Sequence, residues 1–361
     1  MVSPYSLSIP GGVQGQVLGL ARALRAVGQE VRVLGPCDGP PPDIGVTPLG
    51  ASLPVSSNGS IAPIAPDVPA QLRTIRALND EAFDVVHLHE PIIPGPTQTA
   101  IFTKPSALVG TFHAAAEGSA SYRFIRPLAR WGANRLDLRC AVSRDAEALA
   151  RRGLGGRYEI VFNGVEIELF IKADPWPTTG PTIAFIGRHE PRKGLSVLLD
   201  AMTRLPDDVR LWVASDGPQT VELQARTAGD PRIEWLGRIS DAEKASRLRG
   251  ADVFCAPSLG GESFGVVLLE AMAAGTCVVA SELPGYANVA RAGQDALLVA
   301  PDDPAVLAEA LGQALRDREL HRRLVVSGEQ RARSFSMEQL ADTYLELYER
   351  VLAARLATTR R

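Results

Sequence analysis

The sequence predicts an α/β protein built of two Rossmann-like, doubly wound parallel-sheet domains with a cleft between them. Three observations carry this. Short β-branched runs alternate with longer segments whose apolar residues recur at helical spacing, the alternation that builds a parallel sheet covered by helices. The strand runs are continuously apolar rather than alternating, as strands buried on both faces must be. The series occurs twice in 361 residues, a length beyond one ordinary core.

In chain order, the first series is EVRVLGP (30–36), FDVVHLH (83–89), SALVGTF (106–112), LRCAVS (138–143) and YEIVF (158–162). The second is TIAFIG (182–187), VRLWVAS (209–215), IEWLG (233–237), DVFCAP (252–257), TCVVAS (276–281) and ALLVA (296–300). Between them, VQGQVLGLARALRAVG and KGLSVLLDAMTRLP read as amphipathic helices. The stretch IKADPWPTTGPT (171–182), rich in Pro, Thr and Gly, reads as the linker. The expected domains are therefore 1–170 and 171–336, with a C-terminal helix in 337–361 that crosses back onto the first.

Composition narrows the class. Hydrophobic residues make up 45% and charged residues 22%, with net charge −3, which suits a globular chain without general affinity for nucleic acid. No apolar run approaches the roughly 20 residues that a bilayer crossing needs. Met1 runs into VSPYSLSIPGG without a basic or apolar leader, so no signal peptide is expected. Cys37, Cys140, Cys255 and Cys277 are isolated and show no metal spacing. A reducing, cytoplasmic setting is expected.

Ligands of open α/β sheets bind outside the carboxyl ends of the strands, so candidate residues are sought there. PGGVQ (10–14) places Gly11 and Gly12 where a helix begins. Its N–H groups and dipole suit an anion such as a diphosphate, and Gly12 admits close approach; the alternative is a plain strand-to-helix turn. The spacing is not G-x-G-x-x-G, so no dinucleotide cofactor is indicated. GRHEPRKG (187–194) ends a strand with Arg188, Arg192 and Lys193, cations able to neutralise a diphosphate leaving group without a metal. His113 follows another strand end, placed to bond a substrate hydroxyl or simply a backbone carbonyl. His87, His89 and Glu90 in HLHEP lack a completing ligand set, so no metal is expected. Asp241 and Lys244 stand where a loop can bracket a base, or where a helix is capped.

GGESFGVVLLEAMAAG (260–275) is the most distinctive stretch. It reads as glycine loop and helix, with the helix starting near Ser263. Glu262 and Glu270 are eight residues apart, about 12 Å along a helix, the scale of ribose to hexose in a nucleotide sugar. The N–H groups of Ser263, Phe264 and Gly265 lie between them and can take diphosphate oxygens.

With these residues in view, the whole chain resembles the glycosyltransferases of family 4, of the two-domain GT-B fold. The stretches PYSLSIPGGVQ, FDVVHLHEP, GTFHA, FNGVEIELF, EPRKG and GGESFGVVLLEAMAAGTCVVAS are similar to the phosphatidylinositol α-mannosyltransferases of actinobacteria. The resemblance implies metal-independent transfer of mannose from GDP-mannose to the inositol ring of phosphatidylinositol, with retained configuration, at the cytoplasmic face of the membrane. It implies that Glu262 binds the donor hexose and Glu270 the ribose. Arg188 and Lys193 would hold the diphosphate, Gly12 would make room for it, and Asp241 and Lys244 would lie near the guanine. His113 would lie near the reacting carbon and Tyr5 near the inositol. Front-face attack, with the leaving phosphate taking the acceptor proton, is the usual proposal; no carboxylate here is an obvious double-displacement nucleophile.

The chain departs from that family in three places. Only Met1, Val2 and Ser3 precede PYS, so the first strand is expected to be shortened. The related basic helix corresponds to DVPAQLRTIRALNDEAFD, with only Arg73 and Arg76. Glu117 and Gly118 follow His113 where a lysine is usual. A second basic region, 122–157, holds nine arginines against Asp137, Asp145 and Glu147. Within it Arg123, Arg126 and Arg130 sit among Tyr122, Phe124, Ile125 and Trp131. They offer either an interfacial surface for anionic lipid or a solvated helix face. The alternatives to a lipid mannosyltransferase are a relative using a UDP-sugar and a soluble or other lipid acceptor, and a nucleotide-sugar-binding protein that has lost catalysis. A monomer is expected.

Overall fold

The computed structural model describes residues 1–57, 60–113 and 121–359, the side chains of 56, 57, 60, 61, 121–125, 358 and 359 excepted. The readings at Tyr122, Arg123, Phe124 and Ile125, and at Glu117 and Gly118, lie outside the described residues or side chains. The chain divides into two compact units, Met1–Gly164 with Met337–Arg361, and Val165–Ser336.

The first unit contains β1 (Val33–Gly35), β2 (Val46–Pro48), β3 (Leu53–Ser57), β4 (Ser60–Ile64), β5 (Val85–His89), β6 (Ala107–Phe112), β7 (Leu138–Ala141) and β8 (Glu159–Ile160). β1 and β2 pair in parallel, and β5 to β8 pair in parallel in sequence order. Met1–Ser3 join the two sets. Val2 bridges both Leu34 of β1 and Leu88 of β5 in parallel. Its N–H donates to the His87 carbonyl at 2.8 Å, and its carbonyl accepts from His89 at 3.0 Å. Ser3 donates to Leu34 at 2.9 Å. Met1–Ser3 thus stand in the middle of the sheet, between β1 and β5, and not at an edge. Beside them lies a cavity of about 700 Å³ lined by Val31 and Arg32, which precede β1, and by Asp84 and Val85 at the start of β5. The Met1 amine donates to the Arg32 carbonyl at 2.6 Å. Burial lowers its pKa to about 5, with Arg25 adding to the effect and Glu81 opposing it.

β2 and the antiparallel hairpin β3–β4 are not apparent from the sequence. Pro48, Pro54 and Pro63 lie inside them, and proline removes the ladder donor that makes a strand readable.

The final helix, Met337–Thr359, belongs to the first unit. Leu340, Tyr344, Leu347 and Val351 are buried at helical spacing. They pack on Leu20 and Leu24 of the helix Gly12–Ala26 and on Val109 and Cys140 of the sheet. Each such side chain contributes about 1.5–3 kcal/mol on burial, which anchors the crossing helix.

The second unit contains β9 (Thr182–Ile186), β10 (Arg210–Ala214), β11 (Ile233–Gly237), β12 (Val253–Ala256), β13 (Cys277–Ser281) and β14 (Leu297–Val299). All pairings are parallel, in the order β11-β10-β9-β12-β13-β14. The direction of winding therefore reverses between β9 and β12. That reversal opens a crevice at the carboxyl ends of those two strands.

The boundary differs from the expected one. The chain enters the second unit at Val165, and the Pro-rich stretch 171–182 is part of that unit. Trp176 donates its N–H to the Ser246 carbonyl at 2.9 Å. The Arg247 guanidinium lies 4.0 Å from the centre of its ring. Loop-like composition marked the segment; packing onto the helix Asp241–Gly250 made it part of the domain surface.

All four cysteines are free and buried. No helix among the described residues is long and apolar enough to cross a membrane.

Candidate functional site

In the second unit, the loop after β9 carries Arg188, Glu190, Arg192 and Lys193, and the loop after β12 carries Ser258 and Glu262. The winding reversal makes these loops neighbours. Two glycines set their contact. At Gly194, φ is +66°, and an added Cβ would collide with the Pro257 carbonyl oxygen. At Gly285, after β13, an added Cβ would collide with the carbonyl oxygen of Glu262. The Leu259 N–H donates to the Arg192 carbonyl at 2.7 Å, tying one loop to the other.

These contacts converge on Glu262. Its Oε1 accepts from Lys193 Nζ at 2.7 Å, from Ser258 Oγ at 3.1 Å and from Arg192 Nη1 at 3.3 Å. Ser258 Oγ also lies 2.9 Å from the Tyr286 hydroxyl. Burial raises the Tyr286 pKa, and the Glu262 charge adds to the effect. Glu190, almost fully buried, pairs with Arg188 at 2.6 Å and with Arg192 at 2.9 Å. Three cations thus stand at one strand-end crevice, each held by a carboxylate. Glu190, Ser258 and Tyr286 complete a cluster of which sequence reading singled out Arg188, Arg192, Lys193 and Glu262. Tyr286 had no signal in the sequence, because β13 separates it from the motif.

The helix begins at Val266, not near Ser263. Gly265 precedes it with φ +98°, packed against Tyr286. Ser263 and Phe264 are therefore loop, and Phe264 is buried edge-on to Phe335 with ring centres 5.7 Å apart. The 12 Å helical spacing assumed between Glu262 and Glu270 does not hold, since the first half of that interval is loop. A left-handed residue at position 265 interrupts the helix, a conformation that glycine adopts without steric cost.

Glu270 belongs to a second cluster. Lys244 Nζ lies 2.8 Å from its Oε1 and 3.2 Å from Asp241 Oδ1. Burial opposes the Lys244 charge, but Glu270 and Asp241 outweigh it and raise its pKa. Asp241 opens a helix whose cap is Ser240, accepting from the Glu243 N–H at 3.1 Å. Asp241 is therefore an exposed partner of Lys244, and the capping reading passes to its neighbour.

In the first unit, Gly11 and Gly12 lead into the helix Gly12–Ala26. An added Cβ at Gly12 would meet nothing within 4 Å, so this helix start faces open space. Tyr5 and His113 stand near a common partner. Glu90 takes φ +50°, rare for a residue with a side chain. Its Oε1 accepts the His113 N–H at 2.7 Å. Burial raises the Tyr5 pKa, and the Glu90 charge contributes. Burial lowers the His113 pKa to about 3, leaving a neutral imidazole. His87 and His89 are committed internally: His87 to Tyr348 at 2.6 Å and to Thr111 at 2.7 Å, His89 to His113 at 3.0 Å.

The basic region has a structural task. Arg126 donates to the carbonyls of Gly153 and Arg152, both at 3.0 Å, and Arg130 to Gly153 at 3.2 Å. These carbonyls end the helix Arg144–Leu154, where unpaired acceptors and the negative dipole end favour cations. Two arginines assigned to a lipid surface are thus committed to capping. Trp131 is different: it is 42% exposed, beside Phe102 at 51% and Leu128 at 46%. Arg135 lies 5.0 Å from the Trp131 ring centre.

The geometry has counterparts in known proteins. Residues 10–169 match the family described as Glycosyltransferase Family 4, and residues 180–317 match Glycosyl transferases group 1. The chain is 39% identical over 363 residues to a phosphatidyl-myo-inositol mannosyltransferase of Mycobacterium leprae, covering 97% of this chain and 96% of the relative. The chain belongs to glycosyltransferase family 4. The corresponding enzyme of Mycolicibacterium smegmatis is 37% identical, covering 98% of this chain and 94% of its own. A D-inositol 3-phosphate glycosyltransferase of Xylanimonas cellulosilytica is 31% identical over 96% of this chain and 93% of its own. Among solved structures, sucrose-phosphate synthase of Thermosynechococcus elongatus aligns with TM-score 0.76 at 22% identity, covering 98% of this chain and 99% of that one. HepE of Anabaena, solved with UDP and glucose, aligns with TM-score 0.75 at 19% identity, covering 96% and 98%. This glycosyltransferase has the GT-B fold.

Proposed function

We propose that this glycosyltransferase moves mannose from GDP-mannose to the inositol ring of phosphatidylinositol, with retention of anomeric configuration. The observation that carries the donor half is the Glu262 cluster. Arg188, Arg192 and Lys193 stand at one strand-end crevice, enough positive charge to neutralise a leaving diphosphate. In the resting protein, Glu190 and Glu262 hold these cations in place. Glu262 keeps acceptor capacity beyond its present bonds and can take sugar hydroxyls, while Glu270, steadied by Lys244, takes ribose hydroxyls. In the first unit, Tyr5 and His113 serve the acceptor side.

The acceptor half rests on the names of the relatives that the chain matches along nearly its whole length. The reaction needs no metal in this reading, because guanidinium and ammonium groups supply the charge. The C1–O bond to the diphosphate breaks and the C1–O bond to inositol forms on the same face. The acceptor proton passes to the departing diphosphate oxygen. Phe102, Leu128 and Trp131 form the apolar part of a surface that rests on the inner leaflet.

The test is transfer from radiolabelled GDP-mannose, UDP-glucose and UDP-N-acetylglucosamine to phosphatidylinositol vesicles and to free inositol phosphates. Mannosylated lipid formed only from GDP-mannose is the expected result. A second reading, a UDP-sugar and a soluble inositol phosphate, is favoured by the Xylanimonas relative and by the nucleotide in HepE. Transfer to free inositol phosphate without vesicles would establish it in place of the first.

A further inference from the structure

Three imidazoles form a column in the first unit. The ring centres of His87 and His89 are 4.3 Å apart, and those of His89 and His113 are 5.2 Å apart. The final helix braces one end: Tyr348 bonds His87, and Tyr344 bonds the Thr111 hydroxyl, which bonds His87 in turn. The other end is His113, whose backbone Glu90 holds.

The link between His89 and His113 has a direction. His89 Nδ1 and His113 Nε2 are 3.0 Å apart, so one nitrogen carries a proton and the other accepts it. The remaining nitrogen of His89, Nε2, is buried and has no hydrogen-bond partner among the described residues. If His113 donated, neutral His89 would carry its proton on Nε2, a buried N–H without an acceptor. If His89 donates, Nε2 is a buried lone pair. Orphaned buried N–H groups are the rarer defect. Burial holds both rings neutral, which excludes a doubly protonated partner.

We infer that His89 is a positioning residue: it donates from Nδ1 to His113 Nε2 and holds His113 as the Nδ1–H tautomer, a hydrogen-bond donor toward the substrate. The last clause rests on the proposed transfer reaction; the tautomer does not. At that atom His113 cannot take the acceptor proton. It polarises a substrate oxygen, and the proton goes to the departing diphosphate.

Nitrogen NMR of protein labelled with 15N-histidine tests the tautomer directly, because protonated and bare nitrogens of a neutral imidazole resonate far apart. His113 is expected to carry its proton on Nδ1; a proton on Nε2 overturns the inference. His89→Asn keeps an N–H near the Nδ1 position and is expected to retain kcat within about threefold. His89→Ala removes it and is expected to lower kcat about tenfold or more, leaving KM for the nucleotide sugar within about twofold. Equal losses in both variants would also overturn the inference. Should His89→Ala fail to fold, the wild-type spectrum and His89→Asn still decide it. Absence of transfer to every acceptor removes the proposed function alone, since the spectrum stands by itself.

Discussion

Lengthening the chain ahead of Met1 by four strand-favouring residues should stabilise the first unit. Val2 pairs in parallel with both β1 and β5, and the cavity of about 700 Å³ continues that line between Val31–Arg32 and Asp84–Val85. Four residues in a strand span about 13 Å. They can add about four ladder hydrogen bonds, each contributing about 1 kcal/mol. Side chains alternate along a strand, so two point inward and add about 2 kcal/mol each. Ordering four backbone residues costs about 6 kcal/mol. The net is about 2 kcal/mol, which raises Tm by about 4–8 °C in a unit of this size. The same change makes the Met1 amine an amide. In the original chain that amine has a folded pKa of about 5 against 8.0 unfolded. The unfolded chain therefore binds more protons between those values, and stability rises from pH 5 to pH 8. In the lengthened chain the rise above pH 6.5 should vanish, while the rise below it persists, because the buried His87, His89 and His113 have pKa values lowered from 6.5. Differential scanning calorimetry of both chains across this pH range is the assay. An unchanged Tm, or an equal gain from an extension carrying two prolines, would refute the strand-addition argument.

Four further outcomes follow from the geometry. Glu262→Ala strips Lys193, Arg192 and Ser258 of their common acceptor and should lower kcat at least about 100-fold in a steady-state transfer assay; near-normal turnover would remove the donor-site assignment. Gly285→Ala forces the Glu262 backbone aside and should destabilise the second unit by about 1–3 kcal/mol, read as a drop in Tm. Arg126→Ala and Arg130→Ala should each lower stability by about 1 kcal/mol through lost caps while leaving vesicle binding unchanged. Trp131→Ala should weaken sedimentation with phosphatidylinositol vesicles without altering Tm appreciably, and the reverse pattern would return the arginines to the lipid surface.

Much of the fold was legible because its rules are local or periodic. Strands buried on both faces must be continuously apolar, so each of the eleven runs marked in the sequence contains a strand of the structure. The proline-bearing strands β2, β3 and β4 lack that signature. In the second unit, motif spacing marked Arg188, Lys193, Glu262, Lys244 and Glu270. The meeting of Lys193 with Glu262 needed the reversal between β9 and β12, which brings the loop after residue 186 to the loop after residue 256.

The sequence by itself determined the class of fold, the two series of strands, the crossing helix and the residue types at the strand-end crevice, because each is written in composition, period or short spacing. Tertiary structure alone decided which unit owns the Pro-rich stretch, that Met1–Ser3 stand at a sheet centre, and that the helix after Glu262 waits until Val266. It also decided that Arg126 and Arg130 cap a helix, and that His89 meets His113. Each of these depends on atoms distant in the chain meeting at hydrogen-bond or van der Waals range. Such meetings follow from strand order and close packing, which no local pattern records.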